Sequence, residues 1–281
     1  MARLAVKKTY KLYIGGKFPR SESGRSYPAL GADGQVLARV AQASRKDLRD
    51  AVRTARKAQE GWAGRTGYNR GQILYRIAET LEDRRGTFVD HLRDLGATPA
   101  AARREVTESV DRLVWYAGWC DKFAQIYGNL NPVAGPFFNI SSPEPTGVVG
   151  LVAPERPALL GLISRLAPIL VPGNTVVVLA SEEAPMAAVD LAEVLDTSDV
   201  PGGVVNILTG FKEELVPVLA DHMDVNAIDA SGATPEQLLR IQEGAVHNVK
   251  RVVAPSNVPD QSPYLIAAFT ETKTVWHPKG L

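Results

Sequence analysis

Between Pro145 and Pro185 two valine-rich runs, Val148–Val152 and Thr175–Leu179, flank a longer apolar stretch, and few folds accommodate that order. Each run has the length of a strand, is bounded by Pro and Gly, and lacks polar alternation. Both are therefore predicted as strands buried on two faces. Between them Pro157–Val171 carries Leu159, Leu160, Ile163, Leu166, Ile169 and Leu170 at helical spacing. A connection that holds a helix is not a hairpin, so the two strands are expected to run parallel.

The alternation continues toward the C-terminus. Met186–Leu195 is predicted as a helix, Gly203–Leu208 as a strand and Lys212–Ala220 as a short helix interrupted at Pro217. Val225–Asp229 follows as a strand, Pro235–Val246 as a helix and Val249–Ala254 as a strand. Five strands with intervening helices predict an α/β fold, a Rossmann-like doubly wound parallel sheet. Upstream, Lys11–Phe18 holds a Gly-Gly turn and reads as an edge strand or small hairpin, and Gln35–Ala41 as another strand. Ser44 and Asp47 have capping-box spacing ahead of a helix marked by Leu48, Ala51, Val52, Ala55, Ala58 and Trp62. A second helix is predicted from about Tyr68 to Leu95, and a third after Pro99 with Val106, Val110, Leu113, Val114, Ala117 and Phe123 on one face. Asn129–Glu144, with Pro132, Pro136 and Pro143, reads as an extended arm.

Composition removes several function classes. Thirty-two basic and thirty-one acidic residues give a formal charge of +1, so no field favours nucleic acid or an anionic membrane, and neither is expected as a partner. Pro157–Val171 is too short to span a bilayer and contains Arg165 and Pro168. The N-terminus lacks an apolar core of signal-peptide length, and a cytoplasmic protein is expected. A single cysteine, Cys120, excludes an internal disulfide and a cysteine-based metal site. His91, His222, His247 and His277 show no metal spacing, so no metal is expected.

The central stretch also resembles a known family. P-x-G-V-V-G, a long apolar helix, G-N-T-V-V and S-E-x-x-P resemble the start of the cofactor domain of the aldehyde dehydrogenase superfamily. The segments around Tyr13–Phe18, Ala117–Lys122, Pro201–Gly210 and Asn248–Val252 resemble family segments in the same order. Where that family continues with E-L-G-G-K into its catalytic domain, this chain has a proline-rich linker, then Tyr264–Trp276, which resembles the family's last strand. The resemblance implies a truncated homologue lacking the catalytic domain, similar to the defective second half of family-16 aldehyde dehydrogenases. Its implied organisation is a cofactor-type domain at 1–128 and 145–254, an oligomerisation segment at 129–144 and 264–281, and a linker at 255–263. The tail is expected to be a strand, densest from Phe269 onward, that pairs with the arm.

The resemblance also implies which chemistry is expected to be missing. Aldehyde oxidation in the family uses a cysteine thiolate, an asparagine that stabilises the oxyanion and a glutamate base. The nucleophile belongs to the missing domain, and Cys120 sits in an amphipathic helix, where a small buried hydrophobe is the default. Pro154 is followed by Glu155 and Arg156 where the family has P-W-N, and Val253 and Ala254 stand nearest the lost glutamate. No catalytic residue is assigned. The degenerate cofactor site comprises Pro154, Glu182 and Gly210: Leu179 replaces the ribose-binding lysine, and Lys212 replaces a glycine near the adenine. Asp229-Ala230-Ser231-Gly232 replaces a run that meets the pyrophosphate, and an Asp facing that site repels a diphosphate. Read from the residues alone, Glu182 is also a helix N-terminal charge before Pro185, and Lys212 a solvated side chain. No cofactor is expected, or NAD or NADP bound weakly. The expected function is a non-catalytic subunit, a homo-oligomer or a hetero-oligomer with a complete aldehyde dehydrogenase. The alternatives are an NAD(P)-binding module without turnover, and an NAD(P)-dependent oxidoreductase acting on an aldehyde.

Overall fold

The chain is described from a computed structural model that covers residues 8–255 and 260–280. Residues 256–259 of the expected linker, the first seven residues and the last lie outside the described residues. Strands β1 (Thr9–Tyr10), β2 (Ser26–Leu30) and β3 (Val36–Ala41) form a small sheet in the order β1-β3-β2. Sequence pattern reveals β3 but hides β2, because Pro28 interrupts it. Proline is tolerated there because β2 is an edge strand. The Gly-Gly hairpin forms as predicted: Ile14 and Lys17 exchange backbone hydrogen bonds around Gly15 and Gly16, both at positive φ. Tyr13 of this hairpin bonds back and forth with Ile207, fastening the N-terminal segment to the main sheet.

Helix α1 (Arg45–Ala63) begins at the predicted capping box of Ser44 and Asp47. The predicted helix from Tyr68 to Leu95 is two helices, α2 (Gly67–Asp83) and α3 (Arg85–Asp94), with Arg84 between them at φ −92°, ψ 12°. The apolar period runs through the break, since Leu74, Ile77, Leu81, Phe88 and Leu92 are all buried, so periodicity cannot expose it. Likewise α4 (Pro99–Ala117) stops at Gly118, and Phe123 opens a separate short helix, α5 (Phe123–Tyr127).

The extended arm becomes β4 (Asn129–Asn131) and β5 (Phe137–Pro145). The wound unit follows: β6 (Val148–Val152), α6 (Ala158–Leu170), β7 (Thr175–Leu179), α7 (Pro185–Asp196), β8 (Val205–Leu208), α8 (Lys212–Asp221), β9 (Ala227–Asp229), α9 (Pro235–Ala245) and β10 (Arg251–Val253). All five strands are parallel, in the order β10-β9-β6-β7-β8, with Val148 opposite Thr175 and Val152 opposite Leu179. Every residue of β6 and β7 is buried, which accounts for their unbroken apolar runs. Pro217 does not interrupt α8, contrary to the sequence expectation. It lies on a helix clamped between neighbours, with Leu215, Val216 and Leu219 buried, and packing offsets the missing backbone donor.

The tail departs from the expected continuous strand. Pro263–Ala267 is a short helix, α10, started by Ser262, whose hydroxyl accepts from Tyr264 N at 3.2 Å. Ile266 and Phe269 then enter the core, and only Thr270–Pro278 forms strand β11. As expected, β11 pairs antiparallel with β5, Thr270 opposite Pro145 through Pro278 opposite Phe137, giving a second sheet ordered β11-β5-β4. Asn174 couples the tail to the wound unit. Its Oδ1 accepts from Gly147 N at 2.8 Å, and its Nδ2 donates to Ile169 O at 3.1 Å and Phe269 O at 2.9 Å, all in a fully buried setting. Asn174→Ala removes the side-chain partner of Gly147 N and Ile169 O and one of the two donors to Phe269 O, and is expected to lower the unfolding free energy by about 3 kcal/mol. Urea denaturation checks this, and a midpoint equal to the parent's contradicts it.

Candidate functional site

In an open wound sheet the ligand crevice lies beyond the carboxyl ends of the strands, where the winding reverses direction. The chain proceeds β6, β7, β8 toward one edge and then returns to place β9 and β10 on the other side of β6. The reversal therefore falls between β6 and β9. The loops that follow β6, β7 and β8 begin with Ala153-Pro154, Ala180-Ser181-Glu182 and Thr209-Gly210, so the three sequence-named residues Pro154, Glu182 and Gly210 share this end of the sheet.

The chain's own groups bridge the crevice. Gly232, after β9, donates its N–H to Val152 O at 3.0 Å. A Cβ on Gly232 would stand 2.0 Å from Ala153 O and 2.6 Å from Pro154 N, so the two loops touch main chain to main chain. Lys212, at the first position of α8, reaches across them. Its Nζ donates to Ala153 O at 2.7 Å and Gly232 O at 3.3 Å, and forms an ion pair with Glu155. The Lys212 side chain is 4% exposed, which corrects the reading of a solvated lysine. A buried ammonium needs this full set of acceptors, and the switch point supplies two carbonyls and a carboxylate.

Glu155 is the residue that sequence reasoning passed over, noted only as a replacement in the P-W-N position. Its second oxygen accepts from Ser181 Oγ at 2.6 Å, Glu182 N at 2.8 Å and Glu183 N at 3.1 Å. Burial pushes its carboxyl up, but hydrogen bonds from Lys212 and Ser181, with the Lys212 charge, outweigh burial and hold it below the usual glutamate range. Glu182 does not serve the helix before which it stands. Its Oε1 accepts from Lys212 N at 2.6 Å and so caps α8, while Ser181 Oγ takes Ala184 N at 2.9 Å ahead of α7. Asp229 is 1% exposed within β9, with its Oδ1 on Ser231 N at 2.9 Å, and burial raises its carboxyl. It is buried within the sheet and presents no surface to a diphosphate.

Cys120 lies away from this end, in the turn between α4 and α5. It is buried, its Sγ donates to Tyr116 O at 3.6 Å, and burial pushes the thiol up to about 12. That environment is opposite to the one that activates a nucleophilic thiol. Among the described residues no group of three or more His, Cys, Asp or Glu is placed to hold a metal. Among them, too, no helix is long and apolar enough to cross a membrane. An open groove of about 730 Å³ between α2 and α4, with Arg76, Glu79 and Asp121 among its walls, gathers no nucleophile and no activated base.

A wound parallel sheet of this order, with an antiparallel three-stranded sheet attached, defines an α/β protein of the dinucleotide-domain type. Residues 21–263 match the aldehyde dehydrogenase family, and the chain belongs to that family. It is 33% identical over 258 residues to the cytosolic 10-formyltetrahydrofolate dehydrogenase of Xenopus laevis, covering 89% of this chain and 28% of that protein. It is 32% identical over 249 residues to aldehyde dehydrogenase, cytosolic 1 of Elephantulus edwardii, covering 86% of this chain and 49% of that protein. An NAD+ complex of aldehyde dehydrogenase from Bacillus cereus superposes with a TM-score of 0.82 at 26% identity, over 88% of this chain and 50% of that one. The chain thus spans about half the length, or less, of the relatives it matches.

The pairing of Glu155 with Lys212 has a pH signature. A carboxyl held below its unfolded value, about 4.3, contributes stability that is fully present above that value and lost as pH falls through the folded one. Lys212→Met removes the main group opposing burial, so the folded pKa of Glu155 rises and this contribution is lost at higher pH. The acid-unfolding midpoint of Lys212→Met, followed by circular dichroism, is expected above the parent's. An unshifted or lower midpoint contradicts the assignment.

Proposed function

We propose that this aldehyde dehydrogenase family protein is non-catalytic and acts as an assembly subunit, with itself or with a complete aldehyde dehydrogenase. The observation that carries the reading is the closed switch point. A dinucleotide needs its pyrophosphate at this crevice, and here Lys212, Glu155 and the Gly232 backbone fill the space. The crevice as built does not fit the cofactor. The three roles of aldehyde oxidation are also without holders: Cys120 is buried with a raised thiol pKa, and Glu155-Arg156 and Val253-Ala254 stand where the family places its asparagine and glutamate.

Support for assembly comes from the small sheet. Leu130, Ile140 and Val275 lie opposite one another across its three strands, 68%, 48% and 49% exposed, with Phe138 beside them at 44%. Among the described residues strand β11 pairs on one side only, so its other edge offers unpaired backbone groups to a further strand. An apolar stripe next to an open edge is an unfavourable surface for an isolated chain and a usable one for a subunit.

A second reading, a dinucleotide-binding module without turnover, is favoured by an open groove of about 350 Å³ between α8 and α9, lined by Lys212, Thr234 and Gln237. Calorimetry separates the two. Under the preferred reading NAD and NADP bind in the millimolar range or not at all, a binding free energy of about 4 kcal/mol or less. The chain is also expected to produce no NADH from a panel of simple aldehydes. Micromolar affinity sinks the closed-crevice reading, and turnover sinks the non-catalytic one. For assembly, Ile140→Lys combined with Val275→Lys places two charges in the apolar stripe without touching the core. Light scattering, with the chain alone and mixed with a complete aldehyde dehydrogenase of the same cell, is expected to show a larger species that the double variant loses. A parent chain that is monomeric in both conditions, or a variant that assembles equally well, defeats the assembly reading.

A further inference from the structure

The carboxylate of Glu155 is held the way a bound ligand is held. One oxygen takes three donors, Ser181 Oγ at 2.6 Å, Glu182 N at 2.8 Å and Glu183 N at 3.1 Å, and the other takes Lys212 Nζ. None of these donors belongs to the loop that carries Glu155. Three come from the turn between β7 and α7, and the fourth from the start of α8. They also have anchors of their own. Lys212 Nζ is fixed by Ala153 O and Gly232 O, and Ser181 Oγ is fixed by Ala184 N at 2.9 Å. The donors are thus held in part by groups other than the carboxylate they bind, and the Glu155 side chain is 33% exposed.

We propose that Ser181, the N–H groups of Glu182 and Glu183, and the ammonium of Lys212 form a carboxylate-binding site that Glu155 fills from within. The site takes a small exogenous carboxylate when that side chain is withdrawn. Charge selects the class of anion. The Glu182 carboxylate lies on Lys212 N at 2.6 Å, and Glu183 pairs with Arg156 at 3.0 Å, so acidic groups flank the site. A monoanion restores the charge that Glu155 provides, whereas a phosphate dianion adds one more negative charge beside them. Two acceptor oxygens on one planar group also match the division of donors, three and one. The site is separate from the question of dinucleotide binding: it concerns what replaces Glu155, whether or not the crevice opens further.

Chemical complementation tests this. Glu155→Ala removes a CH2–COO⁻ fragment, which acetate replaces, and Glu155→Gly leaves room for propionate. At about 100 mM acetate the thermal midpoint of Glu155→Ala is expected to rise by about 3 °C above a sodium chloride control of equal ionic strength. The parent chain and the Glu155→Ala, Lys212→Met double variant are expected to show no such rise. Glu155→Gly is expected to prefer propionate to acetate. If Glu155→Ala is unfolded without additive, acetate is expected to restore its helical circular dichroism. Absence of any acetate effect on Glu155→Ala, an equal effect on the parent, or an effect that survives Lys212→Met overturns the proposal.

Discussion

Two parallel strands buried on both faces leave the chain little choice. Their backbones pair only if the connection returns over one face, and their side chains are shielded only if helices cover both. In this chain β6 and β7 are buried at every position, and α6 provides the return. Helices α1 and α8 pack on the face of Val148, Val152 and Val177, while α4, α6 and α7 gather on the face of Val149, Leu151 and Val178. Everything outside the sheet is placed by that requirement. The N-terminal hairpin closes the β8 edge through Tyr13, and the tail reaches the other side through Arg251 of β10. The Arg251 guanidinium donates to Ala268 O at 2.9 Å and Thr270 O at 2.7 Å, with Glu271 beside it at 2.7 Å.

The tail shows how one polar side chain sets the path of a segment. Phe269 is fully buried, and its carbonyl accepts from Asn174 Nδ2 and from Thr146 N at 3.2 Å. Those bonds fix the chain where it leaves α10 and aim β11 along β5. Asp260, upstream, pairs with Arg165 at 2.7 Å, and its carbonyl takes the Tyr116 hydroxyl at 2.8 Å. The segment is thus held at Asp260 by α4 and α6, and at Phe269 by Asn174 and Thr146, before it enters the small sheet. A tail read only as a lone strand misses this, because the strand propensity of Thr272–Trp276 is local while the burial of Ile266 and Phe269 is not.

The same contrast divides what was legible in the sequence from what was not. Val148–Val152 and Thr175–Leu179 are strands with those bounds, because a buried parallel strand declares itself by an unbroken β-branched run. The capping box at Ser44 and the Gly15-Gly16 turn are short-range chemistry and were equally readable. The break at Arg84 was not, since the apolar spacing keeps its phase across it. Pro154, Glu182 and Gly210 follow β6, β7 and β8, so parallel strand order alone brings them to one end of the sheet. Their partners were not readable: Glu155 and Lys212 are 57 residues apart, and nothing local to either signals an ion pair. A useful clue was the glycine at 232, which reads as an ordinary turn residue but is required by contact with the Ala153–Pro154 backbone.

That contact bears on how a switch-point crevice disposes of its own polar groups. A crevice at a switch point exposes loop carbonyls and helix N-terminal donors, which either bind a ligand or must be satisfied otherwise. Here the donors of the turn after β7 meet Glu155, the first N–H of α8 meets Glu182, and the carbonyls of Ala153 and Gly232 meet Lys212. These polar groups are satisfied internally. The small sheet is the reverse case. Its inward positions Asn139 and Ser141 are bonded to Asn131 at 2.6 and 2.8 Å, yet its outer face leaves Leu130, Ile140 and Val275 in water. The switch point bonds these loop donors and carbonyls to its own side chains, whereas the small sheet keeps an apolar stripe and a strand edge exposed. Exposed apolar side chains beside an open strand edge are unfavourable in water, so covering this face against another surface would lower the free energy, whereas the switch point gains nothing of that kind.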